Sequence, residues 1–82
     1  MVTLKVSDEN IYMKCLDPST DKLVFTTDEY EAEDWHDEWR AGTRINFLKT
    51  HIGLGNINAS EQDKDYVNRL IPAYVYVDRC DE

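Results

Sequence analysis

The chain has 82 residues, 41% hydrophobic and 32% charged, and 17 acidic side chains against 9 basic ones give a formal net charge of -8. A chain of this length closes around one modest core, so a single domain over residues 1–82 is expected, and its valines and aromatics exclude a disordered polymer. The charge repels nucleic acid and anionic membrane and attracts basic protein surfaces, so direct nucleic-acid and membrane partners are set aside.

Val2, Leu4 and Val6 alternate with Thr3, Lys5 and Ser7, the period of a half-buried strand. The turn residues Ser7-Asp8-Glu9-Asn10 lead to a second alternation, Ile11, Met13 and Cys15 against Tyr12, Lys14 and Leu16. A second turn around Pro18 leads to Leu23-Val24-Phe25. Three strands in an antiparallel meander are predicted.

Thr26-x-x-Glu29 and Asp28-x-x-Glu31 both fit a capping box, and Gly42 suits a helix end, so a main helix is predicted from Asp28 to Ala41. On it Ala32, Trp35 and Trp39 form a narrow apolar stripe, expected to pack on the sheet. Glu29, Glu31, Glu33, Asp34, Asp37 and Glu38 cover most of the remaining circumference. Like charges four apart destabilise such a helix by about a kcal/mol in sum.

Beyond it, Ile45 and Phe47 suggest a fourth strand, and His51 to Ala59 an ordered loop. Ser60 with Asp63 marks a second, short helix carrying Tyr66, Val67, Leu70 and Ile71, which Pro72 should end. Ala73-Tyr74-Val75-Tyr76-Val77 reads as a strand that is central in the sheet or covered on both faces. The expected fold is α+β: a mixed, mostly antiparallel sheet of four to five strands packed by one main amphipathic helix, in the order β-β-β-α-β-(short α)-β.

Catalytic signals are absent from this reading. Glu33-x-x-His36 has a spacing used in carboxylate-bridged metal bundles, but such sites need a second pair on a facing helix. His51 has no nucleophile motif beside it, and Gly53-Leu54-Gly55 lacks the third glycine of a phosphate cradle and reads as a turn. Cys15 and Cys80 lack metal-like spacing, and the N-terminus has no long apolar segment, so a cytoplasmic location with reduced thiols is expected. A Cys15–Cys80 bridge requires their strands to be neighbours. No catalytic residue, metal or cofactor is expected.

The acidic array matches a nucleic-acid backbone in sign and approximate spacing. Glu29, Tyr30, Glu33, Asp34, Asp37 and Glu38 are therefore the expected partner-binding residues, with Tyr30 offering its ring to a partner cation and Arg40 at the array's end. In size, acidity and lack of catalytic motifs the chain is similar to small phage-encoded inhibitors of bacterial defence, the anti-CRISPR and antirestriction proteins. That resemblance implies a non-enzymatic inhibitor acting by nucleic-acid mimicry, and it carries over no residue roles. The alternative is a regulatory or structural subunit associating through apolar surface, as a homodimer joined by a strand edge or by the Ile52–Ile57 loop.

Overall fold

The computed structural model describes residues 1–76. In chain order the elements are β1 (Val2–Val6), β2 (Tyr12–Asp17), β3 (Lys22–Thr26), α1 (Glu38–Gly53), α2 (Glu61–Asn68) and β4 (Leu70–Tyr74). The strands form one sheet in the order β3-β2-β1-β4, with every neighbouring pair antiparallel. The α+β class with one main helix is as the sequence suggested, and so is the β1-β2-β3 meander.

Val2, Leu4 and Val6 of β1 meet Met13, Leu23, Val67 and Leu70 in the core. Helix α1 adds Ala41, Ile45 and Leu48, which recur at the spacing of one helical face, with Ile52 packed at its edge. That face is the physical reason the predicted fourth strand is absent. Ile45 and Phe47 alternate over only three residues, whereas Ala41, Ile45, Leu48 and Ile52 hold the helical period over three turns.

The main helix is displaced from its predicted position. Residues 28–37 are not helical; α1 begins at Glu38, with Asp37 as N-cap, its carboxylate accepting the Arg40 amide at 2.7 Å. The threonine and aspartate that resembled a capping box close tight turns instead. Thr26 Oγ1 accepts the Asp28 amide and Asp28 Oδ1 accepts the Tyr30 amide, a local competition that these side chains offer to any helix. His36 then takes φ of 70°, which no right-handed helix accommodates.

The helix ends beyond the expected glycine. Gly42 lies inside α1, and Gly55, at φ of 79°, provides the left-handed residue. Its amide bonds to the Ile52 carbonyl and that of Asn56 to the His51 carbonyl, the paired bonds of a Schellman stop. Of the expected turn Gly53-Leu54-Gly55, Gly53 is thus the last residue of α1 and Leu54-Gly55 form the turn.

The capping box at Ser60 and Asp63 is present in both directions and starts α2. Leu70 and Ile71, expected on that helix, belong to β4, and β4 is an edge strand rather than a central one. Met1 pairs with Val75 and Ser7 with Arg69 by main-chain hydrogen bonds. In this antiparallel register Pro72, opposite Leu4, points its missing donor away from β1. The proline thus costs no ladder bond and blunts the sheet edge. Val77, the last residue of the expected strand, lies outside the described residues, as does Cys80 of the considered disulfide; Cys15 is half-buried on β2.

Candidate functional site

β1 and β2 are joined at Lys5–Tyr12 and by the Val6 amide to the Ile11 carbonyl, whereas β2 and β3 pair from end to end apart from a register shift at Lys14. Where the β1–β2 ladder ends, the acidic segment takes its place. The Glu33 amide donates to the Met13 carbonyl at 3.3 Å on β2, and the Trp35 amide donates to the Val2 carbonyl at 2.8 Å on β1. Asp34 completes the attachment, its Oδ1 accepting the Val2 amide at 3.1 Å and the His36 amide at 2.8 Å. Residues 28–37 are therefore a strap fastened to two strands.

This changes what each predicted binding residue does. The Asp34 carboxyl is held below its usual range, first by the His36 amide and then by the Val2 amide, with the N-terminal ammonium contributing. Asp37 is the α1 cap. Glu29 accepts the Tyr12 hydroxyl at 3.3 Å; burial, then the Glu29 charge, push that hydroxyl upward. Glu38 lies in the first turn of α1, where its charge favours the helix dipole, and its hydrogen bond raises the Tyr74 hydroxyl. Glu33 is exposed, and Tyr30 is 63% exposed.

Between residues 28 and 38 the strap and the start of α1 hold seven carboxylates, those of Asp28, Glu29, Glu31, Glu33, Asp34, Asp37 and Glu38. Their ion pairs to lysine or arginine are loose, Lys14–Glu31 at 3.9 Å and Arg40–Asp37 at 3.6 Å, and such exposed pairs neutralise little. The array expected on a helix face exists on an irregular segment, so its regular row spacing is lost while its density and attachment remain.

The strap ends in a second feature that the sequence reading missed. Trp35, Trp39, Thr43 and Phe47 line a groove of about 430 Å³ along the outer face of α1, edged by Asp34, His36, Arg40 and Arg44. Trp39 was expected in the core and is 77% exposed; Trp35 is half-buried against the core. The two indoles separate because Trp35 is on the strap and Trp39 in the first turn of α1, pointing away from Ala41 and Ile45. The Arg44 guanidinium lies 4.4 Å from the Phe47 ring centroid and 5.3 Å from that of Trp35, within cation–π range. Trp35 Nε1 and Arg44 Nε are buried without a hydrogen-bond partner.

Its signal in the sequence is Trp39, Thr43 and Phe47 at intervals of four, a stripe on the side of α1 opposite the buried one. Among the described residues no group of three His, Cys, Asp or Glu side chains is arranged to hold a metal ion, Glu33 and His36 included. No helix among them is long and apolar enough to cross a membrane. No protein-family model, curated protein or solved structure matches this chain.

Proposed function

We propose that the chain is a non-enzymatic, cytoplasmic binding protein whose acidic strap covers a basic, nucleic-acid-binding surface of a partner protein. The observation that carries this reading is the attachment of the strap. Six carboxylates, with Glu38 of α1 beside them as a seventh, are concentrated on a segment bonded to β1 and β2 through Glu33, Asp34 and Trp35, so the charge is presented with little left to order on binding. Tyr30 stands out from the array as an aromatic contact for a partner lysine or arginine. An inhibitor of anti-CRISPR or antirestriction type, working by nucleic-acid mimicry, is the biological role this surface suits.

The test is capture of partners from lysate of the organism that carries the chain, with wild type and a Glu31→Lys/Glu33→Lys variant, at low and high salt. Both carboxylates are exposed, and neither caps a helix. A nucleic-acid-binding protein retained by wild type at low salt and lost from the variant supports the reading. Identical retention by both proteins at both salts refutes it.

A second reading, association through apolar surface, is favoured by the α1 groove. Of the surfaces first considered for it, β4 is blunted by Pro72, and Ile57 is buried while Ile52 packs on the core. Trp39 and Phe47 remain as exposed aromatic surface on a regular helix, the residue types that dominate interface energies.

A further inference from the structure

The α1 groove is aromatic and carries two arginines, Arg40 and Arg44, against one carboxylate, Asp34, on a chain of net charge -8, and two donors in its wall, Trp35 Nε1 and Arg44 Nε, are buried with no acceptor. None of the ion pairs among the described residues includes Arg44. An occupant suited to it brings apolar area together with acceptor oxygens. The segment Asp28-Glu29-Tyr30-Glu31 has that chemistry, an exposed ring flanked by carboxylates.

Tyr30 does not reach the groove of its own chain. It lines a separate depression with Asn10, Tyr12 and Thr27, and the strap between it and the groove is fastened through Glu33 and Trp35. We infer that two copies of the chain associate reciprocally, the Tyr30 segment of each seated in the Trp39–Arg44–Phe47 groove of the other. This rests on the second reading above and names the segment that fills the groove.

A two-fold axis makes the contact twice, so both rings and both sets of carboxylates are used. The Tyr30 ring stacks on exposed Trp39 and the Arg44 guanidinium, and Glu29 and Glu31 face Arg40 and Arg44. Repulsion between the two net charges acts over the distance between molecular centres and is screened beyond about 8 Å at physiological ionic strength. The groove contacts, at hydrogen-bond distance, are screened far less. Because pairing covers the strap, a basic partner and the second copy compete for it.

The experiment is sedimentation equilibrium of the full chain across a wide concentration range at physiological salt. Wild type is compared with Trp39→Ala, Arg40→Glu/Arg44→Glu, Glu29→Lys/Glu31→Lys and a mixture of the two charge variants, each checked by thermal melting. The expected result is a wild-type monomer–dimer equilibrium that Trp39→Ala weakens by at least about tenfold without a change in melting, as for an interface anchor. Each charge variant alone is expected to be monomeric, and their mixture to restore a dimer, because both strap–groove contacts then join opposite charges. A wild-type monomer at every concentration, or a dimer indifferent to Trp39→Ala and to the charge variants, overturns the inference. Capture of a basic partner by a chain that stays monomeric leaves the first reading standing and this one refuted.

Discussion

Asp34 Oδ1 accepts the Val2 amide at 3.1 Å, so a carboxylate in the middle of the acidic segment closes a hydrogen bond on the first residue of β1, 32 positions earlier in the chain. The same oxygen accepts the His36 amide. Part of the acidity is thus structural: Asp34 secures the strap, and Asp37 starts the helix that follows it. Removing Asp34 as Asp34→Ala leaves two amides without their charged acceptor. A loss of about 1–2 kcal/mol is expected, discounted for partial exposure, and a thermal melt of the variant measures it.

The pH dependence of stability follows from the same carboxyl. Its folded-state pKa is lowered, with the His36 amide the largest cause. The stabilisation is whole above the unfolded-state value near 4 and disappears as pH falls through the folded-state value. Melting temperatures measured from neutral pH down to about pH 2.5 should therefore fall more steeply for wild type than for Asp34→Asn. Asp17, lowered by hydrogen bonds from Ser19, contributes an acid-sensitive slope common to both proteins.

Two of the three glycines of the α1 region, Gly42 and Gly55, are expected to respond with opposite signs. Gly42 lies inside the helix with nothing within 4 Å of an added Cβ, so Gly42→Ala should stabilise by about 0.5–1 kcal/mol. Gly55 holds a positive φ at the helix stop, and Gly55→Ala should cost about 1–2 kcal/mol although space is equally open there. Urea denaturation of both variants reads the two signs directly.

Position along α1 separates core from surface. Leu48 is fully buried between the sheet and α1, so Leu48→Ala should cost about 2–5 kcal/mol, a large share of the stability of a domain this small. Trp39 is the larger side chain, yet Trp39→Ala should shift folding stability by no more than about 0.5 kcal/mol. Asp37→Ala, which removes the N-cap, should cost about 1 kcal/mol. Charge reversal at Asp37 therefore mixes a folding defect with any binding defect, unlike reversal at Glu31 and Glu33.

The meander was legible in the sequence because alternation and turn chemistry agree there. Val2, Leu4 and Val6 point one way along β1, and Asp17-Pro18-Ser19 supplies a turn with a side-chain acceptor. Helix α2 was legible in its capping box. The main helix was misplaced because Thr26, Asp28 and Asp37 all carry cap-forming side chains, and local chemistry does not rank them. What selects Asp37 is tertiary: Glu33, Asp34 and Trp35 bond to β1 and β2 and hold the chain extended until His36 turns it into α1. The groove was hidden by the same misplacement, since an indole pair read on one helix face separates when one member lies on a strap.

The claim underlying both binding readings is that the acidic segment is held in one conformation by its bonds to β1 and β2. Residue-resolved amide hydrogen exchange tests it most directly. The Glu33 and Trp35 amides should exchange as slowly as amides in the β1–β4 ladder, with slow exchange at Trp35 lost in Asp34→Ala before global unfolding. Fast exchange at Glu33 and Trp35 in wild type, alongside a protected β1–β4 ladder, would contradict a fixed strap and remove the common basis of the two readings.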